Sequence, residues 1–251
     1  LQVEMQALPR RFGLLAYPRA PQLLAILKEI KAGHPVVVLQ NLGLKMAPQW
    51  HYAVVTGYDL KLQQITLHSG DNKNYQIALS TFEHTWVRGG SWAMVVATAG
   101  TMPLGAEQQS YLRSAVNLEQ AGQPELALKA YGAAPRRWPE SLAAWMGLGN
   151  MRYARIDLDG AAEAFIHAIK AHPKAAEPLN NLAQVRLEQR QLEAAMQAIE
   201  LAVELDSNSQ LYRQTRDEVI RVRSKLEKGA LKPPATAAVD KAAQNKENAL
   251  L

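Results

Sequence analysis

The chain has no cysteine among its 251 residues. This absence excludes disulfide bonds, thiolate metal ligands and a cysteine nucleophile supplied by the chain itself. No apolar run approaches the ~20 residues that a membrane-spanning helix needs, so no transmembrane segment is predicted. The first residues, Leu1–Met5, lack the charged and then apolar layout of a signal peptide. Because the chain does not begin with Met, we expect it to be a processed or truncated piece of a longer protein.

An excess of charge of one sign is also lacking. Lys and Arg number 28 and Asp and Glu number 23, which leaves a net charge of +5. The basic residues are spread along the chain, and no stripe of arginines alternates with aromatic residues. The composition therefore predicts no nucleic-acid partner. The hydrophobic share of 48% is sufficient for a packed core in one or two domains.

The composition changes near residue 100. Short β-branched runs punctuated by glycine precede it, and Ala, Leu, Glu and Gln with a 3.6-residue period follow it. Residues 99–105, AGTMPLG, break both kinds of pattern. We therefore predict an α+β N-terminal domain over residues 1–100 and an all-α array over 108–228. The Ala- and Lys-rich residues 229–251 are predicted to be a disordered tail.

The helical half carries an internal repeat of about 34 residues. In the segment that begins at Leu142, seven residues take the slots of the tetratricopeptide pattern: Trp145, Leu148, Gly149, Ala161, Phe165, Ala168 and Pro173. The pattern recurs one period earlier and, more weakly, one period later, which predicts repeats starting near 108, 142 and 176. Residues 210–228 read as a capping helix. The alternative interpretation is an ordinary helical bundle with Ala-rich packing.

A concave groove is the expected binding surface of such an array, and it is lined mainly by the first helix of each repeat. The polar candidates there are Asn150, Arg152, Asn181 and Gln184. Asn150 and Asn181 are suited to clamp an extended peptide backbone, while the alternative is that all four are merely solvated polar positions. The repeats predict a protein or peptide partner.

The N-terminal half reads as a helix, a strand, a hairpin, a short helix and a final strand. These elements cover residues 22–32, 35–40, 51–59 paired with 63–70, 81–86 and 92–97. The order predicts an antiparallel sheet with helices. Antiparallel pairing of the hairpin places His51 opposite a position between His68 and Gly70.

The same half resembles the second half of a papain-like peptidase of the bacteriocin-leader-processing type, a C39-like cysteine peptidase. The resemblance rests on the stretches GHPVVVLQNLG, WHYAVVTGYD, ITLHSG and FEHTWVRGGSWAMVV. It implies that His51 is the general base that takes a proton from a thiol. It also implies a third group at the end of the return strand, for which Asp71 is the candidate, with Ser69 as a weaker orienting group.

Two departures from the family pattern matter. The family usually has Asp-Pro at the end of the return strand, where this chain has His68-Ser69-Gly70. The nucleophilic cysteine and the oxyanion glutamine of the family lie in its first half, before the part that this chain resembles. The chain alone is therefore expected to be inactive.

Three interpretations remain open at this point. The chain is a C-terminal piece of an active peptidase, or a relative that lost its nucleophile and only binds, or the resemblance is accidental and His51 is a strand-end histidine. The rival function is a non-catalytic scaffold that binds a peptide or protein through the repeat groove. The domain combination resembles a subgroup of bacterial peptidase-type proteins, which implies the cell envelope or periplasm.

No cofactor and no metal are predicted. The six histidines show no metal-ligand spacing, although a site made of His51, His68 and Asp71 across the hairpin is conceivable.

Overall fold

The protein, seen in a computed structural model that describes residues 2–19 and 21–228, forms two compact units. They comprise Leu1–Ala134 and Pro135–Leu251. The predicted boundary near residue 100 stays a prediction, and the predicted tail at 229–251 lies outside the described residues.

The first unit is built on a six-stranded antiparallel sheet with the strand order β1-β6-β2-β3-β4-β5. The strands are β1 (Leu14–Pro18), β2 (Val36–Asn41), β3 (Trp50–Asp59), β4 (Gln64–Ser69), β5 (Asn72–Ala78) and β6 (Ala93–Thr98). The helices that accompany them are α1 (Gln2–Arg11), α2 (Leu23–Lys31), α3 (Leu79–Arg88) and α4 (Gln108–Gln120). This arrangement confirms the predicted α+β class.

Three elements were not expected from the sequence. Strand β5 is mostly polar and exposed at the sheet edge, so it carries no apolar alternation. Helix α1 was not expected because it contains Pro9, which removes a backbone donor. Strand β1 was not expected because it is only five residues long. Helix α3, expected as a short turn of helix over 81–86, extends over ten residues.

Strand β2 lies in the interior, with all six of its residues buried. Its register with β3 pairs Val36 with Val55 and Gln40 with His51. The Gln40 amide donates to the Thr85 hydroxyl on α3 at 2.7 Å, so this face of the sheet is the one that α3 covers. Because directly paired residues of neighbouring strands project from one face of a sheet, His51 lies on the same face as Gln40.

A buried carboxylate joins α2 to the segment before α4. Glu29 is fully buried, and its Oε2 atom lies 2.9 Å from Nδ1 of His34. Its two oxygens accept the backbone N–H groups of Leu104 and Gly105, each at 3.2 Å. The Arg19 Nε atom lies 3.5 Å from Oε1. Hydrogen bonds and an opposite charge therefore compensate the loss of hydration of this carboxylate.

The helical part of the chain continues through α5 (Pro124–Arg137), α6 (Leu142–Tyr153), α7 (Leu158–Ala171), α8 (Ala176–Glu188), α9 (Leu192–Leu205) and α10 (Gln210–Glu227). Within the second unit each helix packs on the next along the chain. Fully buried alanines, among them Ala161, Ala168, Ala195 and Ala202, allow these helices to approach closely. Phe165, Leu182 and Ile199 fill the space between them. The predicted run of helices in the C-terminal half is confirmed, while the capping role of the last helix stays a prediction.

None of the helices within residues 2–19 and 21–228 combines the length and the apolarity needed to cross a lipid bilayer.

Candidate functional site

The imidazole of His51 is held by the hydroxyl of Ser69. His51 is the second residue of β3 and Ser69 is the last residue of β4, and Nε2 lies 2.7 Å from the Ser69 Oγ atom. Ser69 pairs with Ala53, which lies two residues after His51 and therefore on the same face of the sheet. The ring is half-buried. The structure thus brings together two of the three residues proposed for catalysis.

Asp71 is not part of this hydrogen-bonded pair. It is exposed in the turn between β4 and β5 and is not a hydrogen-bond partner of His51. The catalytic roles of His51, Ser69 and Asp71 stay predictions.

His68 does not face His51. It pairs with Val54, so it projects from the opposite face of the sheet, and its Nδ1 accepts the backbone N–H of Asn74 at 3.1 Å. The conceivable metal site of His51, His68 and Asp71 is therefore not formed. Across the described part of the chain, no group of three His, Asp or Glu side chains is placed to hold a metal ion.

An exposed apolar surface flanks His51. Trp50, the first residue of β3, is 52% exposed. The preceding loop is closed by Asn41, whose side-chain oxygen accepts the N–H groups of Gly43 at 3.0 Å and Gln49 at 2.9 Å. This loop exposes Leu44 and Met46. Sequence periodicity did not identify Leu44 and Met46 as part of this surface, because they lie in a loop.

The second candidate site is a ladder of three asparagine amides on α6 and α8. The Asn181 Nδ2 group donates to Asn150 Oδ1 at 3.1 Å, which joins the two predicted peptide-binding asparagines. Asn180, which is 2% exposed and was not singled out from the sequence, donates in turn to Asn181 Oδ1 at 3.3 Å. Asn150 is exposed at the end of the ladder.

The other two groove candidates have different surroundings. The Arg152 guanidinium donates to the carbonyl of Gly160 at 2.8 Å and to Glu163 at 3.0 Å, so it stabilises the connection between α6 and α7. Gln184 lines a cavity of about 510 Å³ whose walls come from α6, α7, α8, α10 and the turn at Arg190. Periodicity did not predict this cavity, since it forms only where residues of four helices come together.

Tyr153 lies at one wall of this cavity and donates its hydroxyl to Glu188. The hydrogen bond to Glu188, then burial, then the negative charges of Glu188 and Glu218 raise the pKa of Tyr153 to about 12. Two of the residues that line the cavity, Glu188 and Glu218, therefore place their carboxylates near the Tyr153 hydroxyl.

The chain has two parts. One is a peptidase-type α+β part with the His51–Ser69 pair, and the other is a run of helical repeats. Residues 19–94 match the model of the Peptidase_C39 like family. Residues 112–165 and 153–209 match the model of the tetratricopeptide repeat. The chain thus contains a C39-like peptidase-type domain followed by tetratricopeptide repeats, as the sequence patterns predicted.

Several solved structures are similar to the chain. The tetratricopeptide domain of Sgt2 from Aspergillus fumigatus is 17% identical with a TM-score of 0.47, covering 53% of this chain and 93% of that one. The Yersinia enterocolitica type III secretion translocator chaperone SycD is 24% identical with a TM-score of 0.42, covering 48% and 85%. The first tetratricopeptide domain of Spaghetti (RPAP3), bound to an HSP90 peptide, is 13% identical with a TM-score of 0.45, covering 48% and 98%. No curated protein matches the chain.

Proposed function

We propose that this chain is the histidine-bearing part of a C39-type cysteine peptidase whose repeats bind a protein or peptide. The observation that carries the proposal is the 2.7 Å contact between His51 Nε2 and Ser69 Oγ within the segment that matches the peptidase family. A general base needs one ring nitrogen held by an orienting partner and the other directed at the proton that it removes.

The proposed chemistry uses both nitrogens of His51. Ser69 orients the ring through Nε2, and Nδ1 forms no hydrogen bond with the described residues. Nδ1 takes the proton of a cysteine thiol, and the thiolate attacks the scissile carbonyl carbon. The imidazolium then returns that proton to the departing amine, and water hydrolyses the resulting thioester. Because the chain has no cysteine, the thiol comes from outside these 251 residues.

The test is made on the product of the complete reading frame, with a library of quenched fluorescent peptides as the probe. We expect a cysteine in that product and a loss of kcat/KM on the order of 10²–10⁴-fold in His51→Ala. His84→Ala is the matched control, because His84 is an exposed histidine on α3. A complete product without cysteine, or equal rates for wild type and His51→Ala, contradicts the peptidase proposal.

The second candidate is a non-catalytic scaffold that binds a peptide through the repeat groove. The asparagine ladder favours it, because a side-chain amide offers both a donor and an acceptor to an extended peptide backbone. This role does not need a cysteine, so a binding module is compatible with the chain as it stands.

Peptide binding is tested on the chain itself with an immobilised library of random peptides. We expect the double variant Asn150→Ala, Asn181→Ala to reduce peptide retention about tenfold, the scale of one or two lost hydrogen bonds. Asn208→Ala is the control, since Asn208 is exposed in the turn between α9 and α10. If the double variant retains peptides as well as the control does, the groove proposal is wrong. Peptide binding without cleavage by the complete product favours the scaffold.

A further inference from the structure

The cavity at the ends of α6 and α8 combines apolar walls with unpaired negative charge. Leu158, Leu187 and Val222 contribute the apolar surface, and Glu188 and Glu218 contribute carboxylates. Its volume of about 510 Å³ falls within the range of small-ligand pockets, so it is large enough to admit a single side chain.

The two carboxylates are not neutralised locally. Glu188 accepts the hydroxyl of Tyr153, and neither Glu188 nor Glu218 forms an ion pair with any residue that the structure describes. Both charges act on the Tyr153 hydroxyl, where they contribute to its raised pKa. Arg190 is the one cation among the lining residues, so two negative charges stand against one positive charge.

The cavity continues the line of the asparagine ladder. Tyr153 follows Asn150 by three residues on α6, and Gln184 follows Asn181 by three residues on α8. Residues three apart on a helix lie on the same face, about one turn further along. A peptide backbone bound at the ladder therefore passes within one helical turn of the cavity.

We propose that this cavity binds the side chain of a lysine or arginine in a peptide held by the repeat groove. The aliphatic stem of such a side chain packs on the apolar walls while its charged end pairs with Glu188 and Glu218. This assignment rests on the proposed peptide binding by the repeats and names the chemical class of that peptide.

The experiment measures which residues the chain selects from immobilised random peptides. Among peptides that differ at one position, we expect those with Lys or Arg at that position to be enriched over those with norleucine or Glu. The variant Glu188→Gln, Glu218→Gln is expected to lower the enrichment about tenfold, the effect of losing charge-assisted pairing. The variant Glu193→Gln, Glu200→Gln is the matched control, because these residues are exposed on α9 outside the cavity.

A variant that is expected to increase the enrichment, rather than lower it, provides a second test. Arg190→Gln removes the repelling cation from the lining, so it is expected to increase the enrichment of Lys and Arg several-fold. This gain is not expected from a general loss of structure.

The outcomes separate this inference from the proposal on which it rests. If no peptide is retained, or if the asparagine variant retains peptides fully, peptide binding by the groove fails and this inference fails with it. If peptides are retained through the asparagines but without a preference for Lys and Arg, only this inference is wrong. An unchanged preference in the Glu188→Gln, Glu218→Gln variant likewise contradicts it alone.

Discussion

The ring of Phe165 on α7 occupies the space where a side chain at Gly149 on α6 would begin. A Cβ atom placed on Gly149 would lie 2.4 Å from Cε1 of Phe165, nearer than non-bonded atoms approach. Phe165 is 1% exposed, so its ring has little room to move aside. The close packing of these two helices therefore depends on the absence of a side chain at position 149.

The first prediction follows from this contact. We expect Gly149→Ala to lower the free energy of unfolding by about 1–3 kcal/mol, the usual cost of overpacking a buried site. Urea denaturation of the intact chain measures the change.

Gly132→Ala is the matched control for Gly149→Ala. A Cβ atom at this position inside α5 would meet no atom within 4 Å. The substitution is therefore expected to stabilise the protein by about 0.5–1 kcal/mol, because alanine favours the helix over glycine. Equal effects of the two substitutions would contradict the packing argument.

The second prediction concerns the buried carboxylate of Glu29. We expect Glu29→Ala to lower the free energy of unfolding of the first unit by about 3–5 kcal/mol, because Arg19 loses its charge partner and His34 loses its hydrogen-bond partner. The measurement is urea denaturation followed by tryptophan fluorescence. Glu83→Ala, which changes an exposed glutamate on α3, is expected to have an effect below about 0.5 kcal/mol. A similarly small effect at Glu29 would refute the prediction.

The third prediction is a loss of stability at high pH that depends on Tyr111. Burial raises the pKa of Tyr111 to about 12, above the ordinary value of 10.0. The folded state therefore favours the neutral phenol. Its contribution to stability is complete below pH 10 and is lost as the pH rises to about 12, at ~1.4 kcal/mol per pH unit.

Urea denaturation at pH 9, 10 and 11.5 checks this dependence. Tyr111→Phe is expected to flatten the decline, while Tyr75→Phe is expected to leave it unchanged, since Tyr75 is 50% exposed. A decline that is equally steep in wild type and Tyr111→Phe would assign the pH dependence to other groups.

The fourth prediction concerns the ring of His51. If the Ser69 hydroxyl orients the imidazole, Ser69→Ala will change the ratio of its two neutral tautomers, because the hydrogen bond at Nε2 selects one of them. Nitrogen-15 chemical shifts of the ring measure this ratio in the chain itself. Asp71→Asn is expected to leave the ratio unchanged, since Asp71 does not bond to His51. The reverse result would make Asp71 the orienting group.

Much of the fold follows from local patterns. The hairpin of β3 and β4 is predictable from its short apolar runs. The repeats are predictable because a pattern that includes Trp145, Gly149 and Phe165 recurs at an interval of about 34 residues. Strand β5 is not readable in this way, because an exposed edge strand has no core-facing residues that alternate. The buried Glu29 was also missed, since its partners Leu104 and Gly105 lie 75 and 76 residues away.

The amino-acid sequence by itself determined the α+β class of the first half, the helical repeat and the identity of His51 as the histidine that opens a strand. Only the tertiary structure decided that Ser69 contacts that histidine while His68 does not, because a one-residue difference in position places a side chain on the other face of a sheet. It also decided that Glu188 and Glu218 line the same cavity, since helices distant in sequence must pack before their side chains form its walls.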